Sequence, residues 1–476
     1  MQSPVDLGSR THRKALELNQ DPRTFGTFAE IGAGQEVARW FFQVGGASRT
    51  VAKSISAYDM AVSDSQYGPT RRYVSRQRLE AMLDREFQQL VESLGPTRGE
   101  RTTFFAFADT VATRKREGEE HGRGWVGVRF QAEPRQEPST LILHVHLLDR
   151  DAVQQQDALG ILGVNLLHAA FFTRQDRARA LDSLLDDLSR EQVEIDMIKV
   201  SGPAFAGVDN RIVSLQLVEQ RLTDAAMFTA DGEVVQPSEV LYKKPILVER
   251  GSFRPATRLT MDLLERARDR FSRESEVQGL EPVVLAEMTL NNLLQPEDGL
   301  AGPEDFLARA EILHALGIDV LVSRFGPFYQ LADYLSGYSD KLIGIALGLS
   351  TLNALFDEQF SKKLDGGALE AVGRLFKRSV KVYVYPNLEP DGQILTLLDP
   401  APSKPADHLR QLVLAFDHLR PLWPSDPRLL AIHAPDVLAR IRAGDPAWIP
   451  LVPESVATRI QAKQLFGHPK QIRPPV

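Results

Sequence analysis

The feature that most constrains the fold is an alternation of short apolar runs and helix-length segments, from about residue 155 to 390. The apolar runs predict strands at Val193–Val200, Ala225–Phe228, Pro245–Val248, Val283–Met288, Asp319–Ser323, Leu342–Leu347 and Val380–Tyr385. The segments around them predict helices at Ala178–Leu188, Ser214–Leu222, Leu259–Phe271, Glu304–Leu316, Pro327–Ser336, Thr351–Phe360 and Gly367–Phe376. This alternation is typical of parallel βα units in an α/β protein. Because such crossovers are almost always right-handed, a barrel-like arrangement and an open doubly wound sheet remain, with a slight preference for the barrel.

The residues before this alternation predict a smaller α+β region. Residues 75–94 have apolar side chains at three- and four-residue steps, which predicts an amphipathic helix that ends at Gly95-Pro96. Strand-like runs at Thr102–Phe107, Trp125–Phe130 and Leu141–Leu148 then predict a partly antiparallel sheet. We therefore divide the chain into a glycine-rich and helical segment (1–60), an α+β region (61–150), a βα-repeat domain (151–390) and a helical and extended tail (391–476). In this tail we predict a helix at His408–Leu419.

Composition excludes several classes of protein. The chain has no cysteine, which rules out disulfides, thiolate zinc sites, iron–sulfur clusters and a cysteine nucleophile. Its net charge of −7 gives no general attraction to nucleic acid or to anionic membranes. No apolar run reaches the roughly 18–20 residues that a membrane-spanning helix needs. We expect a cytoplasmic protein that binds neither nucleic acid nor membrane.

Polar residues that follow the predicted strands form the candidate site. Ligands of parallel α/β sheets gather at the carboxyl ends of the strands, on the loops that follow them. Guanidinium groups there could clamp a phosphate or carboxylate bidentately. The predicted ligand-binding residues are Lys199, Arg250, Arg254, Asn291 and Arg324, and the predicted acid/base residues are Asp231 and Glu287. The alternative is that the arginines pair with Glu249, Asp231 or Glu287 and only brace the end of the sheet.

No cofactor follows from these residues. Asp231 and Glu233 could hold Mg²⁺ through carboxylate oxygens, but the sequence around Asp231-Gly232 favours an ordinary turn. His144 and His146 lie two apart in a predicted strand and could form a metal site with Asp149, although a half-exposed pair is the favoured interpretation. We predict no metal site.

Two glycine-rich loops have features of nucleotide-binding loops without matching their motifs. Residues 30–36 follow a strand–glycine–helix pattern whose free backbone N–H groups could bind an anion, but Val37 stands where the third glycine of G-x-G-x-x-G would be. Residues 45–54 contain Lys53-Ser54 after Gly45-Gly46, with a spacing longer than that of a P-loop. For both loops, tight packing against a neighbouring helix is the favoured interpretation.

Three segments carry a resemblance to a known family: Ser54–Met60, Phe107–Ala112 and Leu222–Pro237. There, and nearly end to end, the chain resembles a family of bacterial cytosolic proteins of similar length, some of which are named nicotinate-nucleotide adenylyltransferase or TonB-dependent receptor. The residues contradict both names. There is no His-x-Gly-His, and Ile55-Ser56 is followed at position 61 by alanine where that adenylyltransferase motif has arginine. An outer-membrane receptor requires a signal peptide and many alternating strands.

Two functional hypotheses from different classes follow. The first is a protein that binds or converts a small anionic ligand, phosphorylated or nucleotide-like, at the strand ends of the βα domain. The second is a non-catalytic scaffold that self-assembles, because no catalytic motif is complete and a proline-rich tail could clasp a neighbouring subunit. Under either hypothesis we expect a homo-oligomer. The adenylyltransferase is retained only as an outsider.

Overall fold

The chain folds into two compact units. A computed structural model describes residues 9–114, 121–294, 302–356, 364–401 and 404–469. Contacts between Cα atoms divide the chain into residues 1–223, called unit 1, and residues 224–476, called unit 2. Each unit has its own sheet and its own apolar core. Across the described ranges, no helix combines the length and the apolar character needed to cross a membrane.

Unit 1 is built on one mixed sheet. Its strands are β1 (Thr24–Ile31), β2 (Val51–Ile55), β3 (Thr103–Ala112), β4 (Gly122–Phe130), β5 (Ser139–Leu147) and β6 (Val193–Ser201). Its helices are α1 (Arg10–Gln20), α2 (Glu36–Gln43), α3 (Met60–Tyr67), α4 (Arg76–Arg98), α5 (Ala152–His168), α6 (Arg177–Asp182) and α7 (Asn210–Glu219). The strand order is β2-β1-β3-β4-β5-β6. Strand β1 is parallel to both of its neighbours, and the remaining pairs are antiparallel.

The order of the first three strands creates a switch point in unit 1. The chain leaves β1 through α2 to form β2 on one side, and then returns through α3 and α4 to form β3 on the other side of β1. Phenylalanines of β1 and β3 pack with α2 and α5 in the core on one face. On the other face, Leu79 and Leu83 of α4 lie close to Gly127 of β4. The carboxyl ends of β1 and β3 therefore meet between two helical layers, a place where such folds bind ligands.

Unit 2 is built on a larger sheet and a small ribbon. Its strands are β7 (Ala225–Phe228), β8 (Val234–Val235), β9 (Ile246–Arg250), β10 (Val283–Thr289), β11 (Asp319–Ser323), β12 (Ile343–Gly348), β13 (Val380–Tyr385), β14 (Asn387–Leu388), β15 (Ile394–Leu395) and β16 (Leu419–Pro421). Its helices are α8 (Pro237–Leu241), α9 (Arg258–Phe271), α10 (Leu290–Leu294), α11 (Pro303–Ala315), α12 (Phe328–Ser336), α13 (Leu349–Leu355), α14 (Gly367–Leu375), α15 (Lys404–Ala415), α16 (Ala434–Ala443) and α17 (Glu454–Lys463). The sheet order is β16-β13-β12-β9-β10-β11-β7-β8.

The large sheet is open, with β16 and β8 at its two edges. The predicted α/β class is confirmed, and of the two arrangements considered, the preferred barrel is wrong and the open sheet is found. From β9 the chain adds β10 and β11 on one side, then returns to form β12, β13 and β16 on the other side, all of them parallel. This is the 3-2-1-4-5-6 order of doubly wound nucleotide-binding sheets, with its switch point between β9 and β12.

Helices cover both faces of this sheet. Phe271 of α9 lies against Gly344 and Leu247, which share one face. Leu331 and Leu335 of α12 belong to the core that contains Val248. Because successive residues of a strand point to opposite faces, Leu247 and Val248 place α9 and α12 on opposite sides of the sheet.

Two predicted members of the parallel sheet run antiparallel. The strand predicted at Val193–Val200 is β6, which pairs antiparallel with β5 in unit 1, so the boundary drawn at residue 150 falls inside that unit. Strand β7 lies in unit 2 but runs antiparallel to β11, and a tight turn instead of a helix joins it to β8. An apolar run has the same composition in either pairing, so composition alone could not show this difference.

Several predicted helix ends are also wrong, as at Ala178–Leu188, where α6 ends at Asp182. Helix α4 does not end at Gly95-Pro96 but continues to Arg98, and the N–H of Gly99 donates to the carbonyl of Gly95. A proline removes one backbone donor, and the helix tolerates that loss in its last turn. The helix predicted at His408–Leu419 ends at Ala415, and Leu419 begins β16.

Candidate functional site at the strand ends of unit 2

Most of the predicted site residues lie at one edge of the unit 2 sheet. Arg250 ends β9 and lies directly opposite Glu287 of the neighbouring parallel strand β10. Asn291 is in α10, immediately after β10, and Arg324 immediately follows β11. Arg254 lies in the loop between β9 and α9. The carboxyl ends of three adjacent parallel strands therefore carry these side chains.

Arg250 is held by an internal network. Its Nε lies 2.7 Å from Oε2 of Glu287, and its Nη2 lies 3.0 Å from Oε1. Ser323 donates its hydroxyl to the same Oε1 at 2.6 Å, and the guanidinium lies 4.2 Å from the ring centroid of Phe328. Nη1 of Arg250 donates to the carbonyl of Gly326 at 2.6 Å. The bracing alternative fits Arg250 best, and the fully buried Glu287 already accepts hydrogen bonds on both oxygens, which disfavours an acid/base role.

Arg254 belongs to a second network that fixes two loops of the same edge. Its Nε donates to Asp305 at 2.5 Å, and Nε of the fully buried Arg309 donates to the other oxygen of Asp305 at 2.6 Å. Nη1 of Arg309 donates to the carbonyls of Ser252 and Asn292, at 3.2 and 3.1 Å. The loops after β9 and β10 are therefore tied together. Two guanidinium groups contact the carboxylate of Asp305, one at each of its oxygens.

The structure separates two predicted residues from this edge. Asp231 lies in the turn between β7 and β8, where the N–H of Ala230 donates to Asp319, the first residue of β11, at 2.8 Å. Since β7 runs antiparallel to β11, this turn is at the opposite edge from Arg250, and the prediction that Asp231 shares a site with Arg250 is wrong. Lys199 is in β6 of unit 1 and is no part of the parallel sheet.

Arg324 lies at the predicted edge of the sheet, where it pairs with Asp224 and not with the network of Arg250. Its Nη1 lies 3.2 Å from the carboxylate of Asp224, which immediately precedes β7. Both side chains keep a substantial exposed fraction, 30% for Arg324 and 66% for Asp224. An exposed ion pair of this kind contributes little to stability.

Glu249 is the functional candidate that sequence reasoning missed. It lies in β9 on the face opposite Arg250, between Ala286 of β10 and Ala346 of β12, whose short side chains leave space beside it. The residue is 7% exposed, and among the described residues its Oε2 has no hydrogen-bond partner. Burial raises the pKa of Glu249 to about 8. A carboxyl group directly after the apolar run Pro245–Val248, before the strand ends, is the signal that could have identified it, because buried carboxyl groups with shifted pKa values cluster at functional sites.

The glycine-rich loop at residues 30–36 leads to a different arrangement in unit 1. The N–H groups of Val37 and Ala38, at the start of α2, donate to the carboxylate of Glu30 at 2.9 and 3.0 Å. The protein's own carboxylate thus occupies the position where the sequence suggested an external anion. Glu30 lies directly opposite Asp109 of β3, and both are fully buried. Burial raises the pKa of Glu30 to about 7, and burial beside Glu30 raises that of Asp109 well above its ordinary value.

The second glycine-rich loop is structural. Gly45 and Gly46 adopt positive φ angles of 81° and 80°, and the side chain of Asn19 donates to the carbonyl of Gly45 at 2.8 Å. Lys53 lies in β2 and pairs with the buried Glu86 at 2.5 Å. A P-loop lysine follows a phosphate-binding turn, and Lys53 does not.

The paired histidines of β5 contact a different acid from the predicted one. His144 and His146 both contact Asp196 of β6, whereas Asp149 lies outside this cluster. The three residues could hold a metal ion, since their ligand atoms lie within 4.8 Å of one another.

Comparison with known proteins adds structural likenesses alone. No family model matches the chain, and no curated protein matches it. A similar solved structure is the competence/damage inducible protein CihA from Agrobacterium tumefaciens, with 17% identity, 34% of this chain and 96% of that chain covered, and a TM-score of 0.25. Competence-damaged protein (CinA) superfamily proteins are also similar. The one from Enterobacter cloacae is 11% identical, with 36% of this chain and 98% of that chain covered and a TM-score of 0.25. The one from Escherichia coli is 13% identical, with 34% of this chain and 86% of that chain covered and a TM-score of 0.24.

TM-scores of this size carry no argument about the activity of this chain. The resemblance to a family of bacterial cytosolic proteins stays a prediction.

Proposed function

We propose that unit 2 binds, and acts on, a small nucleotide-like ligand at the switch point between β9 and β12. The observation that carries this proposal is Glu249, a buried carboxyl group on the first strand of a 3-2-1-4-5-6 sheet, whose Oε2 finds no hydrogen-bond partner in the part of the chain that the structure describes. In sheets of this order, ligands bind outside the carboxyl ends of the strands where the order reverses. Glu249 is one residue from the end of β9, next to that position.

The chemistry of Glu249 suits a ligand that carries hydroxyl groups. With a pKa of about 8, its carboxyl group is largely protonated at neutral pH and can both donate and accept a hydrogen bond. A ligand that supplied a hydroxyl donor would favour the ionised form, so Glu249 could then act as a general base. Arg254 follows five residues later, in the loop after β9, and its positive charge would favour an anionic group on the same ligand.

A thermal-shift experiment on the full chain tests the proposal. The probes are ATP, AMP, NAD⁺, ribose 5-phosphate and inorganic phosphate, each at saturating concentration. A ligand at about 100 times its Kd stabilises the native state by roughly 2.7 kcal/mol, and a ribose-bearing probe should raise the Tm by several degrees. Glu249→Gln should abolish the shift. Glu281→Gln, an exposed glutamate just before β10 at the other end of the strands, should retain it.

Two outcomes would reject the proposal. One is that no probe shifts the Tm of the wild-type chain. The other is that Glu249→Gln and Glu281→Gln respond equally, which would place the ligand away from β9.

Self-assembly is a second proposal, supported by exposed apolar side chains near the β16 edge of the sheet. Leu412 and Phe416 are four residues apart at the end of α15, and their exposed fractions are 49% and 67%. Trp423, two residues after β16, is 57% exposed. Light scattering after size exclusion tests it: Phe416→Asp should reduce an oligomeric mass, and a wild-type chain that is monomeric at all concentrations would reject it. Residues 470–476 of the predicted clasping tail lie outside the described residues.

A further inference from the structure

A bulge between β5 and β6 brings two histidines and an aspartate together in unit 1. The register pairs His144 with Met197 and Val145 with Ile195, so Asp196 is the extra residue of the bulge. Bulges re-aim side chains and recur beside functional sites. Here the extra residue places its carboxylate on the strand face that carries both histidines. Oδ1 lies 2.6 Å from Nδ1 of His144, and Oδ2 lies 3.0 Å from Nε2 of His146.

We propose that His144, His146 and Asp196 bind a divalent first-row transition ion such as Zn²⁺. Two imidazole nitrogens and a carboxylate oxygen are a common ligand set for these ions. The candidate ligand atoms of the three residues lie within 4.8 Å of one another, so small side-chain rotations would bring them to coordination distance. An ion there would replace the hydrogens that now lie between the ring nitrogens and the carboxylate. Those protons would leave to solvent or move to the other nitrogen of each ring.

The surroundings support a built site. Side-chain exposure is 5% for His144, 1% for Asp196 and 22% for His146, so two ligands are fixed inside the sheet and the third borders solvent. The ring of Trp125 contacts His144 edge-on at 4.8 Å between centroids, which limits the rotation of that imidazole. Three protein ligands with one side open to solvent leave a coordination position for water or a substrate, as in catalytic zinc sites.

One neighbouring charge opposes a bound cation and another favours it. Arg123 of β4 and Glu194 of β6 lie directly opposite His146 on either side. The guanidinium of Arg123 opposes a bound cation, and the carboxylate of Glu194 offsets it. Glu194 accepts a hydrogen bond from Thr223 at 2.5 Å, which fixes its position. Because Asp196 adds a further negative charge, the cluster keeps a net attraction for a divalent ion.

Metal titration of the full chain tests this inference, independently of the proposed ligand in unit 2. Chelator-treated protein is titrated with Zn²⁺ against a chromophoric competitor, and Co²⁺ is added separately to record its visible absorption. We expect one ion per chain and a Co²⁺ spectrum typical of low-coordinate nitrogen and oxygen ligation. Loss of one ligand in His146→Ala should weaken Zn²⁺ binding by about 10-fold or more, given that even outer-shell changes cost 10–100-fold.

Control variants separate this site from adventitious binding. His121→Ala removes an exposed histidine one residue before β4 and should bind Zn²⁺ as the wild type does. Asp196→Asn should lose the ion like His146→Ala. If Asp196→Asn fails to fold, the test uses His146→Ala and His146→Asn, because His146 is partly exposed, and circular dichroism checks that each variant is folded. Wild-type binding that is not stoichiometric, or equal affinity in His146→Ala and His121→Ala, would overturn the inference.

Discussion

Glu30 and Asp109 are register partners on the parallel strands β1 and β3, and both carboxyl groups are completely buried on the same face of the sheet. Backbone N–H groups satisfy both oxygens of Glu30, but no described residue forms a hydrogen bond with Oδ2 of Asp109. Two ionised carboxylates this close would repel each other, so the folded protein retains protons that the unfolded chain releases. Stability should therefore depend on pH through this pair.

The first prediction concerns Asp109→Asn. The folded-state pKa values of the pair are raised, so their favourable contribution is complete below the ordinary carboxyl pKa and is lost as pH rises through about 7. Asparagine resembles the protonated acid and cannot ionise. Urea unfolding should show the variant at least about 1.4 kcal/mol more stable than wild type at pH 8, with a gain that shrinks as pH falls and disappears below the ordinary carboxyl pKa, near about pH 4. The control is the exposed Glu100→Gln, which should leave the pH dependence unchanged. An equal slope with pH in Asp109→Asn and wild type would contradict the shared-proton interpretation.

The second prediction concerns Glu249 in unit 2, where a raised pKa likewise implies that stability falls as pH rises. Its pKa is raised from 4.5 to about 8 by burial, so wild-type stability should fall as pH rises between these values. The expected slope is about 1.4 kcal/mol per pH unit for one retained proton. Glu249→Gln should flatten this dependence and unfold at higher urea concentration than wild type at pH 8. If the variant is instead less stable at pH 8, Glu249 has a partner that stabilises its charged form.

The third prediction concerns the ion pair of Arg250 and Glu287. Arg250→Met leaves the fully buried Glu287 without its cation, which typically costs about 3–5 kcal/mol. The double variant Arg250→Met, Glu287→Met should recover most of this loss, because an apolar pair of similar volume removes the unpaired charge. The matched control is Arg324→Met, whose exposed pair with Asp224 should cost less than about 1 kcal/mol. Chemical denaturation of the wild type and the three variants compares these costs, and equal costs for Arg250→Met and Arg324→Met would refute the buried brace.

The sequence predicted the secondary structure of unit 2 closely and the strand pairing less well. The bounds of β7, β11 and β13 match the predicted runs, because polar residues, glycine or proline delimit each apolar stretch. The direction of β7 and the sheet to which β6 belongs could not be read from sequence, because they depend on long-range pairing. The choice between an open sheet and a barrel depends on the return from β11 to β12 beside β9, which no local pattern records.

The candidate site was predictable in position but not in chemistry. Arg250, Asn291 and Arg324 follow adjacent parallel strands, so they lie at one edge once the strands are placed. The carboxylate that each arginine contacts depends on the strand register. The sequence alone therefore could not show that Glu287 pairs with Arg250. Glu249 was missed because its isolation arises from Ala286 and Ala346, more than 35 positions away in sequence.

The last prediction tests the close approach of α5 to α2, the helix that holds Glu30. A Cβ added at Gly163 would overlap Cγ2 of Val37 and lie 2.9 Å from Cζ of Phe107, both in a fully buried core. Gly163→Ala should therefore destabilise the protein by about 1–3 kcal/mol, in spite of the better helix propensity of alanine. Val37→Ala in the same chain removes the overlapping methyl groups and should restore part of the loss. Gly373→Ala in α14 is the control, because its Cβ would meet no atom of the described residues within 4 Å and alanine should stabilise that helix by up to about 1 kcal/mol. If urea unfolding shows the costs of Gly163→Ala and Val37→Ala to be simply additive, the two helices do not meet at this point, and the position of α2 over Glu30 must have another cause.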